Sequence, residues 1–380
     1  MNRRRIIDAV RDHGALTQVE IADVTRLSPA TVSNLVKELD AAGRVDLSPA
    51  VRNGRRAVQV SLSSADGLLG AVVFGDRDIR VAIGAGAADI LSRTRMPLAA
   101  AYAADEELSR ATRLLSELVV TSGHSLTKLR AVTVGLPAPI DTVSGQVGAD
   151  GILPGWRGVP VAADLAEMLG APVRLENTAN LAAVGESRFG ALRGVADAVY
   201  VKASYGVGAG LIIGGELFRG CAGTAGEIGH VTIDEDGHLC RCGNRGCLDT
   251  FVGSEAILST LRPSHGDLTL RDVIQRSLAG DPGCCRVLGD AGRHLGVALS
   301  SVVNLLNPEV IAIGGQLARV GDVVLDPLRE AIERRAIPSA VYSVRVMAGA
   351  IASDEAEVLG ALYLAERLRT DIDRGAARAG

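Results

Sequence analysis

A chain of 380 residues, 47% hydrophobic, has material for two or three domains with buried cores, and 45 glycines beside 3% aromatics suit an α/β protein with many tight turns. The longest apolar runs, such as GAVVF and GLIIGG, are strand-sized, and the charged start MNRRRIIDAVRDHG lacks a signal peptide's apolar segment. A cytoplasmic chain with no membrane partner is expected. The net charge of −4 divides unevenly: residues 1–62 hold ten Lys and Arg against seven Asp and Glu, the remainder 30 against 37. A mildly basic head sits on an acidic body.

In the head, Ile6, Ile7 and Val10 predict a first helix ending near Gly14. Thr17 with Glu20 three residues on is a capping box that opens a short second helix. A third begins at RLSPATVSNLVKELDAAG, with Ser28 as cap, Pro29 in the first turn and Gly43 at the end. Val32, Leu35, Val36 and Leu39 form its buried stripe, which leaves Thr31, Ser33, Asn34 and Lys37 outward, able to reach base edges and phosphates in a major groove. Two strands follow around Asn53-Gly54, a hairpin turn crowded by Arg52, Arg55 and Arg56. Three helices and a basic wing make a winged helix-turn-helix for double-stranded DNA. A small protein-interaction domain with a solvated turn would not need capping, spacing and wing to arrive in this order.

From about residue 68 successive antiparallel strands are expected, then a helix near 105–122, the strand RAVTVGLP, the helix PVAADLAEMLG, the strand PVRLEN and a helix containing Asn180. Hairpin texture returns at DAVYVKASYGVGAGLIIGGELFRG, and the chain closes with helices flanking EVIAIGG and SVRVMAGA. Two α/β lobes of related order with a cleft between them fit this pattern. No repeat of 20–50 residues is visible, and the polar end RTDIDRGAARAG reads as frayed.

The densest chemistry is GEIGHVTIDEDGHLCRCGNRGCLDTF. Six cysteines in a cytoplasmic chain point to metal ligands or buried thiols before disulfides. Cys240, Cys242 and Cys247 fall within eight residues, and Gly243 and Gly246 allow the turns that converge them. Three thiolates need one further ligand for a closed tetrahedral Zn²⁺ site. His238 is nearer in sequence, whereas His230 has the looser tether.

With GLPAPID (135–141), LPGWRGVP (153–160), YGVGAGLIIGGELFRG (205–220) and PEVIAIGG (308–315) added to GEIGH and CRCGNRGC, the sequence resembles a ROK-family transcriptional regulator over essentially its whole length. The resemblance implies an α/β chain with an N-terminal winged helix-turn-helix (1–64), followed by a two-lobed actin-like ATPase, sugar-kinase-like domain (65–370). A zinc-binding loop at 227–250 and a flexible tail at 371–380 complete the expected organisation. It implies His230, Cys240, Cys242 and Cys247 as Zn²⁺ ligands, a homodimer or homotetramer, and repression of carbohydrate genes in response to a sugar or sugar phosphate.

Kinases of the family place an aspartate in Asn-Asp-Ala-Asn as general base toward the sugar hydroxyl; here the motif is Asn177-Thr178-Ala179-Asn180. A threonine hydroxyl cannot take that proton efficiently. The first phosphate loop, similar to Asp-x-Gly-Gly-Thr in kinases, reads Val73-Phe74-Gly75-Asp76-Arg77, where Val73 replaces the acid and Asp76 would repel the ATP tail. The resemblance assigns sugar hydroxyls to Asn177, Thr178, Glu227, His230 and Asp249, the last standing where the family has Glu. The expectation is a regulator and not an enzyme. A sugar kinase with a DNA-binding head, or a ligand-independent DNA-binding regulator, are the alternatives.

Overall fold

The computed structural model describes residues 2–52, 55–63, 67–98, 104–141, 144–148 and 152–379. In the head, α1 (Asn2–His13) turns Ile6, Ala9 and Val10 inward, and β1 (Leu16–Thr17) leads into α2 (Gln18–Thr25). The cap is reciprocal: the Glu20 amide donates to Thr17 Oγ1 at 3.4 Å, and the Thr17 amide to Glu20 Oε2 at 2.7 Å. Helix α3 (Pro29–Ala41) opens with the Thr31 amide donating to Ser28 Oγ at 3.2 Å. Strands β2 (Val45–Arg52) and β3 (Arg55–Leu62) pair antiparallel with Arg52 opposite Arg55, and β1 adds to the other edge of β3. The turn residues Asn53 and Gly54, and the side chains of Arg52, Arg55 and Arg56, lie outside the described residues.

The body continues with β4 (Leu68–Phe74), β5 (Asp78–Gly86), β6 (Asp89–Pro97), α4 (Ala104–Thr121), β7 (Leu129–Leu136), β8 (Ile140–Asp141), β9 (Gln146–Val147), α5 (Val161–Leu169), β10 (Val173–Asn177) and α6 (Thr178–Phe189). Then come β11 (Ala198–Ala203), β12 (Val207–Ile213), β13 (Glu216–Phe218), α7 (Asp249–Val252), α8 (Ser254–His265), α9 (Leu270–Leu278) and α10 (Pro282–Leu306). The last elements are β14 (Val310–Gly314), α11 (Asp322–Arg335), α12 (Pro338–Val341), β15 (Arg345–Ala348) and α13 (Ser353–Ala379).

Two compact units result. The first comprises Met1–Gly135, Pro160–Glu176 and Val358–Gly380, the second Leu136–Val159 and Asn177–Glu357. Each is built on a five-stranded sheet, ordered β10-β7-β4-β5-β6 in the first and β13-β12-β11-β14-β15 in the second. In both, an antiparallel three-strand meander (β4–β5–β6, β11–β12–β13) carries a parallel neighbour on its first strand (β7, β14). The related order of the two lobes is therefore a topological duplication, and the fold is the mixed α/β, actin-like arrangement expected.

Within the first unit the head is no detached module. Ala85 of β5 belongs to the same buried cluster as Ile6, Val10, Ile21, Val36 and Val60. Arg11 Nε of α1 donates to Glu366 Oε1 of α13 at 2.6 Å, and Glu366 is 3% exposed. Residues 371–379, within the segment expected as a flexible tail (371–380), are helical, since α13 continues to Ala379. The alanines of this segment favour helix, and Arg374 sits near the C-terminal end of the macrodipole, which outweighs the cost of Gly375. In the second unit, α6 lies on β12 so closely that a Cβ on Gly210 would stand 2.4 Å from the Ala183 Cβ. Part of the glycine run in YGVGAG thus serves helix–sheet packing. No helix among the described residues is long and apolar enough to cross a membrane.

Candidate functional sites

The cysteine-rich loop folds as a knuckle. Two isolated bridges, Thr232 with Cys247 and Leu239 with Arg245, fold the chain back on itself. Gly246, at φ +62°, passes so near the Asp234 carbonyl that a Cβ would fall 1.5 Å from its oxygen, so only glycine fits there. The outcome is convergence: one ligand atom each from His230, Cys240, Cys242 and Cys247 lie within 4.8 Å of one another. Cys240 Sγ is 3.6 Å from His230 Nδ1, and Cys242 Sγ is 3.7 Å from Cys247 Sγ. His238, the alternative open on sequence, is exposed and outside this group; its carbonyl accepts the Gly246 amide at 2.8 Å. Burial holds the His230 imidazole below its usual range, which keeps the ring neutral and able to ligate.

Thr178 opens α6, where Asn177 Oδ1 accepts the Ala179 amide at 2.7 Å and its Nδ2 donates to the Ala138 carbonyl at 2.9 Å. Asn177 is therefore largely committed to capping and loop attachment. Thr178 is 2% exposed, and its Oγ1 accepts a hydrogen bond from Lys202 Nζ at 3.1 Å. Lys202, near the end of β11, the central strand of its sheet, also pairs with Glu357 Oε1 at 2.9 Å. Sequence reading missed both partners. The signal was present, since AVYVKA sets one charge in an otherwise apolar central strand, and such a charge needs a buried counterion.

Glu227 is half-buried, its carboxyl pushed up to about 7 by burial and then by the charge of Asp249. Asp249 also acts on His230, so the three are electrostatic neighbours. Yet Asp249 is partly engaged: Oδ1 accepts the Val207 amide at 3.0 Å, and Oδ2 lies 3.4 Å from Arg241 Nη2. On the first sheet, Val73 and Phe74 are fully buried, so neither can present a ligand to a nucleotide.

On the head, Asn34 and Lys37 are exposed along α3, whereas Thr31 and Ser33 are half-buried. Thr31 Oγ1 is 2.7 Å from Ser28 Oγ, so its hydroxyl is shared with the cap. Val32, Val36 and Leu39 are buried as the stripe requires.

A family model described as the ROK family matches residues 69–368. The chain belongs to the ROK family. The model of the MarR family matches residues 2–56 of this ROK protein, over the head. The xylose repressor of Caldicellulosiruptor bescii is 28% identical over 96% of this chain and 95% of its own length. The DNA-binding transcriptional repressor Mlc of Escherichia coli (strain K12) is 27% identical, over 95% of this chain and 93% of its own. A ROK family glucokinase from Streptomyces griseus, solved with glucose and AMPPNP, superposes with a TM-score of 0.68 at 27% identity, and covers 79% of this chain and 100% of its own. The likeness to the repressors extends over almost the whole chain, whereas the kinase accounts for only part of it.

Proposed function

We propose that this ROK-family chain is a DNA-binding transcriptional repressor of carbohydrate genes, whose kinase-like body senses a sugar and does not phosphorylate it. The observation that carries the reading is position 178. The place of a catalytic carboxylate is taken by a hydroxyl that accepts a hydrogen bond from an ammonium, so no base faces the substrate there. The buried Val73 in the first phosphate loop supports the same conclusion. An aspartate restored at 178 alone should leave phosphorylation absent. ATP turnover coupled to any hexose in the unmodified protein would contradict the reading.

Asn34, with Thr31 and Ser33, reads base edges in a major groove, while Lys37, Arg52, Arg55 and Arg56 contact phosphates. One recognition helix specifies few bases, so a homodimer or homotetramer on an inverted-repeat operator is the fitting form. Asn34→Ala should cost roughly 1–3 kcal/mol on the preferred site and relax sequence preference. Lys37→Ala should weaken all sequences alike and flatten the salt slope by about one unit. Footprinting decides the reading: protection that survives deletion of residues 1–62 would end it.

Zn²⁺ is the cation we assign to the knuckle. Tetrahedral Zn²⁺ with thiolates at about 2.3 Å and imidazole at about 2.0 Å implies edges of roughly 3.8 Å between sulfurs and about 3.6 Å from sulfur to nitrogen. The 3.7 Å and 3.6 Å separations support that fit. Three thiolates and an imidazole leave no open coordination position, so the metal would hold the loop and supply no reaction chemistry. The sugar would be bound by Thr178, Glu227, His230 and Asp249, with Asn177 at the rim.

A further inference from the structure

The hydrogen-bond polarity at position 178 says what kind of group the effector must bring. An ammonium has three protons to donate and no lone pair. When Lys202 Nζ donates to Thr178 Oγ1, the threonine proton must therefore point elsewhere, and no acceptor for it is recorded among the described residues. Thr178 is 2% exposed, so this is the proton of a buried side chain, with no acceptor for it among the described residues. A donor already polarised by a neighbouring cation is strengthened.

The arrangement behind Lys202 holds that polarity in place. Glu357, 1% exposed, pairs with Lys202 at 2.9 Å and receives Ser353 Oγ at 3.5 Å, while Ser353 accepts from the Tyr200 hydroxyl at 3.2 Å. Burial drives the Tyr200 phenol upward, so it stays a donor. The Tyr200 and Ser353 hydroxyls both donate toward Glu357, and Lys202, as an ammonium, has no lone pair with which to accept. Helix α6, 12 residues long, begins at Thr178 and adds the positive end of its dipole at the same spot.

In a kinase the carboxylate at this place accepts the proton of the sugar hydroxyl to be phosphorylated. Here the protein donates, and the ligand must accept. We propose that Thr178 and Lys202 form an anion subsite, and that the effector is a hexose whose primary carbon carries a carboxylate or a phosphate. Both groups are acceptor-only and anionic, and both gain a charge-assisted bond that a neutral hydroxyl does not. This deepens the sensing reading given above and rests on it.

The test uses the full-length, metal-loaded protein and isothermal titration with glucose, xylose, glucuronate and glucose 6-phosphate. At least one of the two anions should bind ten-fold or more tightly than either neutral sugar, and which of them does so identifies the group. Thr178→Val keeps the shape of the side chain and the Lys202–Glu357 pair, and should reduce the anion-to-neutral affinity ratio about ten-fold. Lys202→Met should do the same where it folds. Neutral sugars binding as tightly as the anions, or a ratio unmoved by Thr178→Val, would overturn the subsite and leave sensing intact. No binding by any of the four would overturn sensing itself, and the subsite with it.

Discussion

The β4–β5 turn and the β11–β12 turn occupy equivalent places in two sheets of the same strand order, yet the side chains that hold them come from different places. The first is held from within. The Gly75 amide donates to the Asp78 carbonyl at 2.7 Å, and the Asp78 carboxylate takes Arg80 of β5 at 3.0 Å and Arg95 of the neighbouring β6, all within the β4–β5–β6 meander. A Cβ on Gly75 would meet Asp78 Oδ1 at 2.7 Å and Arg80 Nη2 at 2.8 Å, so side chains fill the hollow where a phosphate loop would need space. The second turn, closed by the Ser204 amide on the Gly206 carbonyl at 3.0 Å, is held from outside as well. Val207 donates to Asp249, the residue that opens α7 just after the cysteine knuckle, and the Ser254 amide donates to the Tyr205 carbonyl at 3.1 Å. A turn tied to the cysteine knuckle shares that loop's order, and with it the order of Glu227 and His230.

The sharpest way to break this comparison is to remove one of the proposed metal ligands, which lie in the second unit only. Cys242→Ser should cut bound zinc from about one equivalent to a small fraction, because structural sites of this kind draw much of their folding energy from the cation. The knuckle, the Asp249 tether and sugar binding should fail together, with a fall of several kcal/mol in the second unit's stability. Metal analysis with hydrogen exchange on residues 204–253 checks it. Full metal content, or exchange as slow as in the parent, would show that the β11–β12 turn is as self-sufficient as its counterpart.

The reciprocal change lies in the first unit. Asp78→Ala leaves Arg80, 8% exposed, facing an emptied carboxylate position. Loss of one partner of a buried pair costs about 3–5 kcal/mol, and solvent around Arg95, 62% exposed, moves the expected figure toward 3 kcal/mol. Urea denaturation should register that loss while zinc content and effector affinity hold. A drop in zinc content would mean that the turns are coupled after all.

The sequence was most legible where local chemistry decides structure. Thr17–Glu20 and Ser28–Pro29 predict helix starts that the backbone then makes, and the glycine spacing of CRCGNRGC predicts a convergence that the knuckle achieves. It was least legible where a partner lies far along the chain. Lys202 meets Glu357 and Arg11 meets Glu366 across separations that no periodicity encodes. The helical end of α13 is not legible in the sequence because a polar composition suits a frayed end and a solvated helix alike. Asp249 is assigned to the sugar by resemblance alone, and its second partner, the Val207 amide, is a backbone group without a sequence signature.

The finest test separates the two jobs of Asp249. In Asp249→Asn the amide oxygen can still accept the Val207 N–H, so the backbone tether survives. What is lost is the charge facing Arg241, a side chain 51% exposed, and exposed pairs contribute about 0–1 kcal/mol. In Asp249→Ala the Val207 amide loses its acceptor as well, at a further cost of about 1–3 kcal/mol if water does not replace it. Thermal unfolding should therefore rank the parent and Asp249→Asn together, with Asp249→Ala clearly below. If Asp249 serves only as a sugar acceptor, the two variants should melt alike and differ from the parent in sugar affinity alone. A gap between them in stability marks the residue as the tether that makes the second turn depend on the metal loop, which is the property the first turn lacks.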